Sequence, residues 1–218
     1  MQERTTRLNI AIIGAGNVGT ALTTAAIRAG HTVTLSDHKP EDARAVAQQA
    51  GARASDTNAA AVRDAEVIIL AVPFPAVAGI INELGRALDG KVVVDVSNRF
   101  SPTDPGAPID GSSNAEQIQA LVPSARVVKA FNTVFASRQA NPNADGIQLD
   151  GYVAGDDQEA KAKVVELVRS LGFRPVDAGP LSLARALEAM AWLNMLLNMQ
   201  NGWPWQSAWK LVGPTGQS

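Results

Sequence analysis

The sequence predicts an α/β fold with a doubly wound, mostly parallel sheet and a C-terminal helical extension. Two observations carry this prediction. Val- and Ile-rich runs alternate with segments of helical periodicity, as expected where helices cover both faces of a parallel sheet. The first run, "NIAIIGAGNVGTA" (9–21), also contains glycines at the spacing G-x-G-x-x-G, which is typical of a strand turning tightly into a helix in Rossmann folds.

The first elements form a βαβ unit. Strands are predicted at 8–13 and 31–37, and the helix between them ends at Gly30, because glycine is the preferred residue after a helix C-terminus. A second helix, 40–51, begins with Pro40, and proline is favoured in the first turn of a helix.

The rest of the chain continues the alternation. We predict strands at 65–73, 91–98, 125–134, 151–156 and 173–179, and helices at 75–90, 115–123, 157–171 and 181–201. The segment 99–114 is rich in Pro, Gly, Ser and Asp, which indicates a surface loop, and 101–108 is a candidate lid over a substrate. The expected organisation is a flexible N-terminus (1–7), a dinucleotide-binding domain (8–180) and a C-terminal helical segment (181–218).

Composition excludes several classes of protein. The net charge is −2 and no basic cluster stands out, so nucleic acid is not an expected partner. The chain lacks cysteine, which removes disulfides and zinc–cysteine sites, and we expect no metal. Its longest apolar stretch, 186–199, is interrupted by Glu188 and two asparagines and is too short for a bilayer span. We therefore expect a cytoplasmic protein without a membrane partner.

The glycine motif is a candidate dinucleotide site. Gly14 would permit the turn, Gly16 would let a pyrophosphate approach the backbone, and Gly19 would let the helix pack on the strand. Asp37 ends the second strand and would bind ribose hydroxyls, favouring NAD. His38, Lys39 and Arg44 follow it and would neutralise the extra phosphate of NADP, so both nucleotides stay open. A tight turn without a ligand is the structural alternative.

Loops after other strands should complete the site, because ligands bind at the carboxyl ends of the strands in such sheets. Pro73 and Pro75 flank Phe74 in a loop that could pack on the nicotinamide ribose, or form an ordinary strand-to-helix turn. Asn98 and Asn132 offer side-chain amides to a carboxamide or a ring edge, or cap their own loops.

Acid and base residues are scarce. The two histidines, His31 and His38, flank the second strand, away from any substrate. Lys129 is the best single candidate for a proton donor, although a lysine at a strand end can also simply reach solvent. This scarcity of acid and base residues favours hydride transfer between two ring cofactors, a reaction that chiefly requires the two rings to be aligned.

Several segments in order, "IIGAGNVGTAL", "VVVDVSN", "SSNAEQIQALVPSARVVKAFNTV" and "DAGPLSLARALE", resemble a known family. It comprises the reductases that pass hydride between NADPH and the deazaflavin coenzyme factor 420, and the segments are equally similar to the cytosolic oxidoreductase domains of the six-transmembrane epithelial antigen metalloreductases. The resemblance implies a pocket for an isoalloxazine-type ring opposite a nicotinamide. The implied nucleotide site consists of Gly14, Gly16, Asn17, Val18, Val72, Pro73, Asn98, Ala130, Phe131 and Asn132.

Two departures from the family pattern matter. Members of the family that bind NADPH usually have Ser-Arg after the second strand, where this chain has Asp37 and His38. The deazaflavin reductases tend to carry Leu-His-Thr where this chain has Phe131-Asn132-Thr133, closer to the metalloreductase pattern.

The C-terminal segment "AWLNMLLNMQNGWPWQSAWK" (191–210) places Asn194, Asn198 and Asn201 on one helical face and contains all four tryptophans of the chain. We expect a homodimer through this helix, or a substrate pocket. The predicted function is an NAD(P)-dependent oxidoreductase acting on a flavin, a deazaflavin or another small planar acceptor. The alternatives are a non-catalytic NAD(P) sensor and an imine or carbonyl reductase.

Overall fold

A computed structural model describes residues 6–99 and 111–213 of the chain. Its main feature is an eight-stranded sheet with the strand order β10-β9-β6-β5-β4-β1-β2-β3. The strands are β1 (Asn9–Ile13), β2 (Thr32–Ser36), β3 (Arg53–Ala54), β4 (Val67–Leu70), β5 (Val92–Asp95), β6 (Arg126–Ala130), β9 (Asp150–Gly155) and β10 (Arg174–Gly179), and a separate two-stranded hairpin consists of β7 (Asn143–Ala144) and β8 (Ile147–Gln148).

The sheet is parallel from β3 to β6, and β9 and β10 form a parallel pair of the opposite direction. β1 pairs with β2 on one side and β4 on the other, which places the strand-order reversal beside the glycine loop. β9 joins β6 antiparallel through Lys129 opposite Ala154. The predicted Rossmann fold with a mostly parallel sheet is confirmed.

Helices cover both faces of the sheet. They are α1 (Asn17–Arg28), α2 (Pro40–Ala50), α3 (Asn58–Val62), α4 (Phe74–Leu84), α5 (Asn114–Leu121), α6 (Ala136–Gln139), α7 (Gln158–Ser170) and α8 (Ala184–Asn201), with short 3-10 turns at Gly85–Leu88 and Leu181–Leu183. Side chains of β1 alternate between two cores because successive residues of a strand point to opposite faces. Ile10 and Ile12 pack with α1, α2 and α7, whereas Ala11 and Ile13 pack with α3, α4 and α5.

The C-terminal extension packs on the β9–β10 pair. Tyr152, Ala154 and Leu187 form a small third core with Met190 and Trp209 beside it. The helix predicted over 181–201 is confirmed, although its first three residues form a 3-10 turn. Leu193 and Met199 on this helix are about half exposed.

Some elements differ from the predictions. β3, α3, α6 and the strands β7 and β8 were not predicted, because each of these helices and strands has five residues or fewer and none shows a periodicity. The capping-box spacing of Asp156 and Glu159 predicts Asp156 as the N-cap of α7. The N-cap is instead Asp157, whose carboxylate accepts from the Ala160 N–H. Most of the predicted flexible N-terminus (1–7) and the candidate lid (101–108) lie outside the described residues. Over the described ranges, no helix is long and apolar enough to cross a membrane.

Candidate functional site

The β1–α1 turn is built by its first and third glycines. Gly14 has φ +110°, and a Cβ there would collide with the carbonyl oxygen of Ala71. A Cβ on Gly19 would overlap the carbonyl oxygen of Gly14. Both positions therefore require glycine for the turn itself, whether or not a ligand is present.

Gly16 is different, because a Cβ there would meet nothing within 4 Å. Gly16 is the N-cap of α1, and among the described residues no side chain caps this helix end and no acidic residue occupies its first turn. The first N–H groups of a helix have no partner within the helix and attract anions. The open space at Gly16 and the uncapped amides of Asn17 and Val18 therefore suit a pyrophosphate.

Asp37 lies directly beside this turn. Its carboxylate accepts from the Ala15 N–H (2.7 Å) and the Lys39 N–H (2.9 Å), and His38 Nδ1 lies 2.6 Å away. Burial raises the pKa of this carboxyl, but the bonds from Ala15, Lys39 and His38 outweigh it, and the net pKa lies below its usual value. The structure therefore brings Asp37, His38 and the backbone of Lys39 to the glycine loop as predicted, and the carboxylate is anionic at neutral pH.

Three adjoining cavities form one groove along the carboxyl ends of the strands. The Phe74 cavity, of about 660 Å³, is lined by Gly16, Asn17, Val18, Val72, Pro73, Phe74, Asn98 and Met195, among others. The Asn132 cavity, of about 160 Å³, is lined by Phe131, Asn132, Thr133 and Asn194 and shares Val18, Asn98 and Met195 with the first. The Trp205 cavity, of about 650 Å³, is lined by Thr20, Phe135 and Trp205 and shares Gly16 and Asn17 with the first.

Two asparagines join the loops after β5 and β6. Asn132 Nδ2 donates to Asn98 Oδ1 (2.9 Å) and to the Leu187 carbonyl (3.0 Å), and Asn98 Nδ2 donates to the Asn132 carbonyl (3.1 Å). These bonds fix which end of the Asn132 amide is the acceptor. Within the described residues, Asn132 Oδ1 and Thr133 Oγ1 are buried without a hydrogen-bond partner. Since buried polar groups are normally paired, both are candidates to bind a ligand or a water.

The turn after β6 is strained. Phe131 has φ +64°, which is costly for an aromatic residue and is often found at functional sites. Gln139 is fully buried and donates to the Phe131 carbonyl (2.7 Å) and the Val134 carbonyl (2.9 Å), so it holds this turn. The Phe131 ring packs edge-on against Phe173, and Ala130 is fully buried. Of the three residues 130–132, Phe131 and Asn132 line the groove.

Lys129 is not at the groove surface, which corrects both its assignment as a proton donor and the alternative that it reaches solvent. Its side chain is fully buried and donates to Asp95 Oδ2 (2.7 Å), Glu188 Oε1 (2.7 Å) and the Ser97 carbonyl. All three N–H donors of the ammonium are therefore used. Burial raises the pKa of Glu188 even though Lys129 lowers it.

This buried cluster supports the groove from below. Glu188 Oε1 also accepts from the Asn114 N–H (2.9 Å), and Asn114 Nδ2 donates to Ser97 Oγ (2.9 Å). Ser97 and Asn114 both line the Phe74 cavity. Lys129 therefore acts on the groove by positioning the loop after β5 and the start of α5.

The chain after α8 returns across the groove and is anchored at both ends. Asn198 Oδ1 accepts from the Trp205 N–H (3.1 Å), and the Trp205 carbonyl accepts from Ser137 Oγ (2.5 Å). Further along, the fully buried Asp150 accepts from Lys210 Nζ (2.8 Å) and the Leu211 N–H (2.7 Å). Trp205 thereby stands edge-on to Phe135 with ring centroids 5.3 Å apart, and it forms one wall of the groove.

Several residues of this site were not predicted. Asp150 and Asn114 have partners 60 and 74 residues away in the sequence, so no local spacing indicates them. Gln139 binds carbonyls five and eight residues before it, but no motif marks that contact. Glu188 lies in the segment "DAGPLSLARALE" that resembles the family, but no role was predicted for it. The same segment supplies Arg185, which binds Glu116 of α5 with two hydrogen bonds and lowers the pKa of that carboxyl to about 2. Within the described ranges, no group of three or more His, Asp or Glu side chains could hold a metal.

The chain is similar in sequence and in fold to known oxidoreductases. Residues 9–99 match the family model described as "NADP oxidoreductase coenzyme F420-dependent". The metalloreductase STEAP3 of Rattus norvegicus is 35% identical over 182 residues, which are 83% of this chain and 36% of the metalloreductase. The chain thus spans about a third of the length of the metalloreductases it matches.

Two relatives match over nearly their full length. The F420-dependent NADP reductase of Methanothermobacter marburgensis is 29% identical over 211 residues, covering 89% of this chain and 94% of that enzyme. The crystal structure of a candidate F420-dependent NADP reductase from Arthrobacter sp. FB24 superposes with a TM-score of 0.85 at 27% identity, covering 94% of this chain and all of that one. The glycine turn, the strand order and these matches together show that the chain belongs to the family of coenzyme F420-dependent NADP oxidoreductases.

Proposed function

We propose that this protein transfers hydride between a nicotinamide dinucleotide and a small planar acceptor of the deazaflavin or flavin class. The observation that carries the proposal is the groove itself. It begins at the uncapped N-terminus of α1 and passes Asn132 and Thr133, each of which has a buried oxygen without a hydrogen-bond partner among the described residues. It ends at the aromatic rings of Phe135 and Trp205. Two relatives, an F420-dependent NADP reductase and a metalloreductase, support the same class of reaction.

The nucleotide would lie along the carboxyl ends of the central strands. Gly14, Gly16, Asn17, Val18 and Gly19 form the turn that would hold the pyrophosphate, and Asp37 would bind the adenine ribose. The nicotinamide ring would lie in the Phe74 cavity against Val72, Pro73 and Phe74. The orphaned acceptor of Asn132 and the hydroxyl of Thr133 fit the N–H groups of a carboxamide.

The acceptor would enter from the other end of the groove. Phe135 and Trp205 offer aromatic faces and edges beside the same helix start that would hold the nucleotide. A planar ring binds well to such surfaces, because offset and edge-on aromatic contacts are favourable. We therefore assign the Trp205 cavity to the acceptor.

The chemistry agrees with the lining of the groove, where the described residues include no His, Lys, Asp, Glu or Tyr. When bound, the nicotinamide supplies or receives the hydride, and the protein has to align two rings and exclude water. Lys129 is buried with its donors occupied, so an imine or carbonyl reductase would lack its best protein donor. A non-catalytic NAD(P) sensor remains the second candidate, because the same groove would bind nucleotide without turnover.

We also propose a homodimer through the C-terminal helix. Leu193, Met199 and Trp203 are each 44–50% exposed on α8 and just after it, and exposed apolar side chains grouped on one element are typical of protein interfaces. Sedimentation of the purified protein tests this directly, and a monomer at micromolar concentration would contradict it.

The activity is tested by anaerobic oxidation of NADH and of NADPH with FAD, FMN and the deazaflavin coenzyme in turn. Turnover with one acceptor supports the proposal and identifies the acceptor class. Tight nucleotide binding without turnover by any acceptor would contradict it and favour the sensor.

A further inference from the structure

We infer that this protein selects NADH over NADPH, although its family is named for NADP. The inference concerns which nucleotide the proposed groove accepts, and it therefore rests on the proposed function. It is carried by the contacts of Asp37 and by the pairing of the cations that follow it in the sequence.

Asp37 is fixed in place rather than free to turn away. Its two carboxylate oxygens accept hydrogen bonds from the Ala15 and Lys39 amides, and its side chain is only 10% exposed. The Ala15 amide belongs to the glycine turn itself, so the carboxylate is held where the β2 strand ends beside the nucleotide site. A ribose with two free hydroxyls can donate to this carboxylate, whereas a 2′-phosphate would bring a second anion against it.

Two of the three cations that could offset this repulsion have other partners. Arg44 Nη2 binds Asp56 Oδ1 at 2.6 Å, and His38 Nδ1 contacts Asp37 itself at 2.6 Å. Lys39 contributes its backbone N–H to Asp37. The arrangement therefore satisfies the carboxylate and does not form a fork of donors for a phosphate.

Selectivity of this kind comes from an unfavourable contact with the rejected ligand as much as from a favourable one with the preferred ligand. The family pattern of Ser-Arg after the second strand would supply a hydroxyl and a cation instead. In this chain Asp37 stands in place of the serine, so the hydroxyl is replaced by a carboxylate. His38 stands in place of the arginine, and its ring contacts that carboxylate. The expected preference for NADH is at least tenfold in dissociation constant.

The test is equilibrium binding of NADH and NADPH to the purified protein, followed by quenching of its four tryptophans. Asp37→Asn keeps the shape of the side chain and removes its charge, so the NADPH to NADH ratio of dissociation constants should fall at least tenfold. Asp42→Asn makes the same charge change at an exposed position in the first turn of α2 and should leave the ratio within twofold. Asp37→Ser provides a second variant if the Asn variant folds poorly.

Tighter binding of NADPH than NADH by the wild type would overturn the inference, as would equal changes for both nucleotides in Asp37→Asn. Nucleotide binding can be measured without an acceptor, so the proposed selectivity and the proposed hydride transfer are tested independently. NADPH preference with acceptor turnover overturns only the selectivity, and NADH preference without turnover overturns only the hydride transfer.

Discussion

The Nζ atom of Lys129 lies 2.7 Å from Oε1 of Glu188, and both side chains are fully buried. This contact joins the central sheet to α8, because Lys129 is on β6 and Glu188 is in the second turn of the helix. A second buried carboxylate, Asp95, contacts the same ammonium. The cation therefore balances two acids in the protein interior.

Removing this cation should be costly. We expect Lys129→Met to lower the free energy of unfolding by about 3–5 kcal/mol, because two buried carboxylates lose the counter-ion that they share among the described residues. The double variant Lys129→Met/Glu188→Gln should be less destabilised than the single variant, since one of the two charges is removed with the cation. Urea unfolding measures both.

Lys163→Met is the matched control, because Lys163 is partly exposed and only loosely paired with Glu66 at 3.4 Å. Its effect should stay below about 1 kcal/mol. Equal destabilisation by the two lysine variants would mean that the buried cluster contributes no more than a surface pair.

The buried His31 predicts a loss of stability in acid. Its Nδ1 accepts from the Leu8 N–H, so Nε2 carries the proton toward Ser170 Oγ at 2.8 Å, and the ring is neutral. Burial, with a smaller effect of Arg7, lowers its pKa from 6.5. Below pH 6.5 the unfolded chain therefore binds a proton that the folded chain does not, and stability falls by up to about 1.4 kcal/mol per pH unit.

His31→Gln should flatten this dependence, because a glutamine can make the same two hydrogen bonds without titrating. The measurement is the free energy of unfolding of both proteins at pH 7.5 and 5.5. Identical slopes for the two proteins would show that His31 is not the group responsible.

The glycine turn predicts opposite outcomes for two alanine variants. Gly19→Ala places a methyl group on the Gly14 carbonyl, and we expect a loss of about 3 kcal/mol or more in unfolding free energy. The added methyl group of Gly16→Ala meets no protein atom within 4 Å, so this variant should have the same unfolding temperature as the wild type. Its methyl group would fill the space proposed for the pyrophosphate, so nucleotide affinity should fall at least tenfold.

Thermal unfolding and nucleotide titration separate these effects. If a stable Gly16→Ala variant bound the nucleotide as tightly as the wild type, the proposal that the pyrophosphate binds at this turn would be wrong.

The fold could be predicted because its signals are local. A strand buried on both faces is a short apolar run. The turn between β1 and α1 requires glycine at position 14 for its φ of +110°, and at position 19 because a Cβ there would overlap the Gly14 carbonyl. β3 and the β7–β8 hairpin have two-residue strands, too short for any pattern to indicate.

The site was predicted only in part, because its supporting contacts join distant residues. Asp37 was predicted from its distance to the glycines. Lys129 is singled out by the sequence as a candidate proton donor, but its burial depends on Asp95 and Glu188, which lie 34 and 59 residues away. Asp150 contacts the C-terminal chain 60 residues later, and nothing near it in the sequence indicates that contact.

The tryptophans after α8 predict which end of the groove binds the acceptor. Trp205 lines the groove beside Phe135, and its backbone is held at φ +57° by contacts to Asn198 and Ser137. Trp205→Leu removes the ring and keeps an apolar side chain. We expect the KM for the acceptor to rise about 2- to 12-fold, the equivalent of one aromatic contact of about 0.5–1.5 kcal/mol, while the dissociation constant of the nucleotide stays unchanged.

Trp203→Leu provides the comparison, because Trp203 is 44% exposed and is not among the residues that line the Trp205 cavity. Steady-state kinetics with the acceptor identified in the activity screen should show no change in KM for this variant. If both variants raised KM equally, the effect would come from the whole C-terminal segment and not from a ring contact. If Trp205→Leu weakened nucleotide binding instead, the Trp205 cavity would belong to the dinucleotide, because Gly16 and Asn17 line it together with the tryptophan.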